Sequence, residues 1–278
     1  MLHHAIEKGH LEVLETMLQH GVDVYSAIEI ADNAGRTALF EAVENAEETV
    51  GARLTQEGEP EDPSRIIKML ITKRANGGFG AKTNVVNFNG QTPMFSAVRE
   101  GNFAAVKCLI ELGDAKPDLN GGELVKIEEQ DNEEEEDEYE SQEEKYFMMA
   151  FKNCMSPLHV ATVLGYDEIA LYLIERAGAD VDYPSGKRKY TPLHLAVLAN
   201  KPEMIIELLT KTQADPMCED WEGQSLLDMV YKYIPTYVES FQALLENLQM
   251  HRLKSAGTES AGKNIARHYI HPDDDRKI

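Results

Sequence analysis

The tetrapeptides SPLH (156–159) and TPLH (191–194) return in altered form as TPMF (92–95), TALF (37–40), MLH (1–3) and SLLD (225–228). Their third positions, Leu2, Leu39, Met94, Leu158, Leu193 and Leu227, are separated by 37, 55, 64, 35 and 34 residues. The last two spacings approach a period of about 33 residues, and the three longer ones are that period with chain inserted. Such a chain does not build one private core. Each repeat is a supersecondary unit with one apolar side, and neighbours must stack to bury it.

The stretch YTPLHLAVLANKPEMIIELLTKTQADP (190–216) shows what a unit contains. Thr191 is a good N-cap, and Pro192 suits the first helical position, where its missing N–H costs nothing. Leu193, Ala196 and Val197 fall at helical spacing, Asn200 and Lys201 make a turn, and Pro202 opens a second helix carrying Ile205, Ile206, Leu208 and Leu209. Residues 213–216, QADP, leave that helix in an extended turn.

Six such units in register resemble the ankyrin repeat family. The resemblance rests on TPLHLA, SPLHVA, TPMFSA and TALFEA, on the turns Gly101-Asn102, Gly165-Tyr166 and Gly9-His10, on the runs VLETML, IIKMLI, VKCLIEL, IALYLI and MIIELL, and on the exits HGVDV, RAGADVD and TQADP. It implies an all-α solenoid of stacked helix-turn-helix units with projecting hairpin turns and long loop insertions. The expected organisation is a solenoid over 1–253, in units of about 1–31, 32–84, 85–118, 151–182, 186–217 and 220–253, with inserts at about 46–62 and 119–150 and a flexible tail at 254–278. Inserts entering at turns leave such a stack intact. The first unit starts at Met1-Leu2 without the turn that precedes an internal repeat, which fits either a piece of a longer polypeptide or a half-built unit. In the sixth unit Asp228 replaces the usual His or Phe, and a long second helix starting near Pro235 is expected to bury Tyr237, Val238, Phe241, Leu244, Leu245 and Leu248. The closing IARHYIHPDDDRKI has a docking peptide as its alternative to a flexible tail.

A formal charge of −22 repels phosphate backbones and anionic bilayers, so direct nucleic-acid binding is disfavoured and protein partners with basic surface are favoured. Half of that charge lies in 119–150, where thirteen carboxylates meet two lysines for a local net of −11. No apolar run approaches the roughly 20 residues that membrane insertion as a helix requires. The first ten residues, MLHHAIEKGH, lack the pattern of a secretory signal. The expected location is cytoplasmic, with a cytoskeletal or ciliary setting and the nucleus open. Cys108, Cys154 and Cys218 are too scattered for a disulfide framework or a zinc ribbon and suit a reducing compartment, with Cys108 a small buried apolar residue in AAVKCLIEL.

Four local patterns invite chemistry. NGGFGAKT (76–83) approaches a P-loop, but Asn76 and Ala81 stand where its two glycines belong, and a helix precedes it instead of a strand. His3, His4 and His10 suggest a metal site, yet His3 and His10 hold the TPLH and Gly-His places, where the resemblance implies turn-tying hydrogen bonds, as it does for His159 and His194. His268, His271 and Asp273 to Asp275 are a weaker metal candidate still. The acidic run lacks the central glycine of an EF-hand. Its Ser141, with Glu144 three residues on, fits an acid-directed phosphorylation site. No G-x-S-x-G, H-E-x-x-H or paired Cys/His signature occurs, so no enzyme active site, cofactor or metal is expected.

The expected function is a noncatalytic protein-protein interaction module: a scaffold, adaptor or regulatory subunit that binds partners on the concave face. The alternatives are the ankyrin portion of a larger receptor, channel or enzyme, and a structural component of a large cytoskeletal or ciliary assembly. Candidate partner contacts at turn tips and first-helix surfaces are Asn33, Arg36, Phe88, Gln91, Arg99, Tyr183, Lys187, Arg188, Tyr190, Trp221 and Glu222. The basic tip Lys187 to Lys189 also offers the acidic residues 128–144 a place to fold back and compete with a partner.

Overall fold

The computed structural model describes residues 2–8, 10–19, 28–44, 64–73, 76–117, 155–185 and 188–255. Regular structure among them is helical, apart from isolated antiparallel bridges at Ser185–Tyr190 and Glu219–Ser225. The chain forms two compact units, Met1–Leu226 and Leu227–Ile278, dividing inside the stretch that the repeat pattern marks as a sixth unit. The expected inserts at 46–62 and 119–150, together with Cys154, lie outside the described residues, as does the tail from 256 onward.

The first compact unit contains helix pairs that follow the repeat. They are α1 (Leu2–Glu7) with α2 (Leu11–Gln19), α3 (Ala38–Glu44) with α4 (Arg65–Ile71), α5 (Pro93–Arg99) with α6 (Phe103–Glu111), α7 (Pro157–Leu164) with α8 (Asp167–Glu175), and α9 (Pro192–Leu198) with α10 (Pro202–Lys211). The first helices stack in order: α1 on α3, α3 on α5, α5 on α7, and α7 on α9. The α5–α7 contact spans the acidic stretch, so that long insertion leaves the stack unbroken.

Local signals in the sequence mark several of these helix starts. Thr92 Oγ1 accepts the Phe95 N–H at 3.1 Å, and Asn102 Oδ1 accepts the Ala105 N–H at 2.9 Å, satisfying donors that a helix start leaves open. Pro93, Pro157 and Pro192 take the first helical position. The repeat leucines and their substitute, Leu39, Met94, Leu158 and Leu193, are fully buried between neighbouring pairs. Each such side chain contributes about 1.5–3 kcal/mol of apolar burial. Cys108 is buried on α6 as a small apolar residue.

The second compact unit begins within α11 (Leu226–Tyr233), continues through a 3-10 turn at Pro235–Tyr237 and ends in α12 (Val238–Ser255). Phe241 and Leu245 are buried and Val238, Leu244 and Leu248 half-buried, but Tyr237 is exposed, contrary to the sequence expectation. The α-helix starts at Val238, not at Pro235. The tighter 3-10 turn rotates Tyr237 off the face that Phe241 and Leu245 share.

Candidate interaction face

Three hairpin turns are built by one local device. Asp32, Asn87 and Asp220 open them. In each, the opening N–H donates to the carbonyl four residues on: Asp32 to Arg36 at 2.9 Å, Asn87 to Gln91 at 3.0 Å and Asp220 to Gln224 at 3.1 Å. The opening side-chain oxygen then accepts two backbone N–H groups, from Ala34 and Arg36, from Asn89 and Gln91, and from Glu222 and Gln224. This side-chain mimicry of a backbone turn explains why Asp or Asn stands there. The fourth position is glycine with positive φ in all three (Gly35, Gly90, Gly223). In the hairpin that closes on Tyr190 the corresponding place is taken by Lys189, at φ +53°.

Successive hairpins are tied across the stack. The Phe88 N–H donates to the Ala34 carbonyl at 3.0 Å and the Trp221 N–H to the Arg188 carbonyl at 3.1 Å. Phe88 and Trp221 hold the same register position, immediately after Asn87 and Asp220, and remain 73% and 54% exposed. Of the other residues expected at the tips, Asn33, Arg188 and Glu222 are exposed and Tyr183 is half-buried, its ring edge-on to His159 with centroids 6.3 Å apart. Lys187 and Ser141 lie outside the described residues.

Gln91 and Tyr190 depart from the expectation of partner-facing residues, because both are buried. Each precedes an N-cap threonine, so its carbonyl closes the hairpin and its side chain turns inward. Gln91 Oε1 accepts from Asn87 Nδ2 at 3.1 Å, and the Tyr190 ring lies 6.1 Å from that of His194.

Arg36 and Arg99 belong to a half-buried ion-pair network between α3 and α5. Glu44 accepts from Arg36 Nη1 at 2.8 Å on one oxygen, and from Arg99 Nη2 and Ser96 Oγ, both at 3.1 Å, on the other. Arg36 also binds Asp32 at 2.8 Å and reaches Glu41 at 3.6 Å, while Arg99 donates to Glu100 at 2.7 Å. Burial works against the charge of Asp32, but the N–H groups of Arg36 and Ala34 and the Arg36 guanidinium outweigh it and hold the carboxyl below its ordinary value. No local signal points to Glu44, whose partners lie 8, 52 and 55 residues away.

The buried histidines tie turns together. His159 Nε2 donates to the Tyr190 carbonyl at 3.0 Å, which leaves Nδ1 to accept the Ser156 hydroxyl at 2.7 Å. Full burial drives the His159 pKa down to about 4, against the pull of the Tyr190 and Tyr183 carbonyls, so the ring is neutral at physiological pH. His194 Nδ1 accepts the Thr191 N–H at 3.1 Å, completing a capping box. Its Nε2 lies 3.9 Å from Cys218 Sγ. That contact is not an activated nucleophile: the neutral tautomer directs a proton, not a lone pair, at the sulfur, and burial pushes the thiol up to about 11.

The P-loop-like stretch has its amides committed. The N–H groups of Gly78, Phe79, Gly80 and Ala81 donate to the carbonyls of Lys73, Met69, Thr72 and Leu70. Phe79 is fully buried, and a Cβ on Gly78 would stand 2.2 Å from the Thr72 carbonyl oxygen. These groups close the end of α4 and are turned away from any phosphate. Among the described residues, no group of three His, Cys, Asp or Glu side chains is placed to hold a metal ion, and no helix is long and apolar enough to cross a membrane.

Comparison with known proteins matches residues 2–47 to ankyrin repeats (many copies), and residues 61–185 and 142–220 to ankyrin repeats (3 copies). The ankyrin repeat domain of Bcl-3, described as a unique member of the IkappaB protein family, superposes with a TM-score of 0.57 over 90% of this chain and 84% of that one, at 20% identity. The BTB/POZ domain and ankyrin repeat-containing protein NBCL of Lotus japonicus is 40% identical over 63 residues, 23% of this chain and 13% of that protein. The BTB/POZ domain and ankyrin repeat-containing protein BOP of Lupinus luteus is 37% identical over 73 residues, 26% of this chain and 15% of that protein.

Proposed function

The chain belongs to the ankyrin repeat family, and on that premise we propose that it is a noncatalytic scaffold, adaptor or regulatory subunit that binds protein partners along its hairpin tips and first helices. The observation that carries this reading is the placement of Phe88 and Trp221. Two large aromatic residues occupy one register position, each with its backbone N–H bonded to the preceding hairpin and each with its side chain left open to solvent. Large aromatic side chains on a fixed main chain have only two torsions to order on binding and often anchor interfaces. A protein with a basic surface is the partner that the charge favours.

The test is capture of partners from native extract by the full chain and by a Phe88→Ala/Trp221→Ala variant. Loss of specific partners with unchanged folding supports the proposal; an identical set of captured proteins overturns it. The BTB/POZ relatives combine ankyrin repeats with another domain, which supports a second reading, that this stretch serves a larger polypeptide. Intact mass of the native protein decides it.

A further inference from the structure

Resting on that reading, we infer that the hairpin face around Phe88 receives an arginine-bearing basic segment of a partner protein, with a guanidinium stacked on the open side of the Phe88 ring. The ring is seated on the preceding hairpin. A Cβ on Gly35 would lie 2.7 Å from Phe88 Cδ1 and 2.9 Å from Cγ, so the glycine backbone supports one side of the ring. The Phe88 N–H bond to Ala34 fixes the main chain there, and most of the side chain still faces water. A ring held this way is a platform already in place before a ligand arrives, and its π-face attracts cations.

The surrounding charge selects the ligand. Asp32 and Arg36 bracket the turn on which the ring sits, and they join it to the network of Glu41, Glu44, Arg99 and Glu100. That network carries four carboxylates against two guanidiniums, a surplus of two negative charges on a chain already at −22. Both arginines are held by those carboxylates, so the cation for the ring comes from outside. The flanking exposed residues, Asn33 and Asn89, are neutral amides that bring no competing cation. Arginine suits the site better than lysine, because a planar, weakly hydrated guanidinium stacks on an aromatic face and also forks onto carboxylates.

The experiment measures binding of the full chain to a dye-labelled (Gly-Arg-Ser)4 peptide by fluorescence anisotropy, beside its lysine and citrulline counterparts. The expected order is arginine, then lysine, then citrulline. Phe88→Trp should hold or raise the affinity for the arginine peptide. Phe88→Leu should lower it about 2- to 5-fold, the size of an exposed cation–π contact. Phe88 is exposed enough for all of these variants to fold. Equal binding by wild type and Phe88→Leu overturns the inference, as does equal binding of the arginine and citrulline peptides or no measurable binding. If the inference fails in any of these ways while the doubly substituted variant still loses its native partners, the proposed function stands and only the partner chemistry falls.

Discussion

Replacing His159 by Phe tests the polar heart of the stack. Phe already occupies the equivalent place in two other units, where Phe40 and Phe95 are buried. At pH 7.5 the substitution removes both ring hydrogen bonds; the Tyr190 carbonyl keeps the Ser185 N–H, but the buried Ser156 hydroxyl loses its acceptor, at a cost of about 1–3 kcal/mol. The pH dependence moves the other way. Burial lowers the folded-state pKa from 6.5 to about 4, so well above pH 6.5 the ring is neutral in both states and titration contributes nothing. As pH falls from 6.5 towards 4, the unfolded chain takes up a proton that the folded chain refuses, and stability declines. That loss is about 1.4 kcal/mol by pH 5.5 and about 3 kcal/mol by pH 4, at roughly 1.36 kcal/mol per pKa unit. His194, also lowered by burial, adds in the same direction in both proteins and cancels in the difference. Urea unfolding followed by far-UV circular dichroism at pH 7.5, 6.5 and 5.5 stays above the isoelectric point near 4.8. The stability gap between wild type and His159→Phe should narrow by about 1.4 kcal/mol across that range. A gap that stays constant refutes the buried, neutral assignment of His159.

Glu44→Gln should cost about 1–2 kcal/mol, because Arg36, Arg99 and Ser96 all lose a charged acceptor, and thermal melts should show the deficit shrinking in high salt as screening weakens what remains. Asp32→Asn should cost less than about 1 kcal/mol, since Asn87 builds the same turn, whereas Asp32→Ala should cost about 1–2 kcal/mol. Because the Asp32 carboxyl is held low, its contribution is present above the unfolded carboxyl pKa and is lost as pH falls through the folded value, and Asp32→Asn should flatten that part of the acid titration. Lys189→Gly should stabilise by about 0.5–1 kcal/mol by relieving a left-handed lysine, seen as a melting temperature raised by about 1–4 °C.

The helix pairs were legible because independent local signals agree: three first helices open on a Ser or Thr followed by proline (Pro93, Pro157 and Pro192), and the others share the same register of apolar residues and turns. Trp221 and Phe88 were legible as tips because the position after Asn87 or Asp220 points outward in the turn those residues build. Gln91 and Tyr190 were misread for a related reason. They stand one residue before the helix, where closing the hairpin turns the side chain inward, and sequence spacing alone does not distinguish the two directions. The Glu44 network was not legible, because it joins carboxylates and guanidiniums that meet only once α3 packs on α5. The seat of Phe88 on Gly35 was hidden likewise, since the glycine explains itself locally by its φ of +77° before any contact is considered.

Site-specific photo-crosslinking puts the central claim to its most direct test. A benzophenone side chain placed at Asn33, exposed on a hairpin tip, is compared in native extract with one at Ile206, exposed on the second helix α10. Protein partners bound along the tips and first helices predict adducts from position 33 that are absent at position 206. Adducts at 206 with none at 33 would contradict that placement of the binding face.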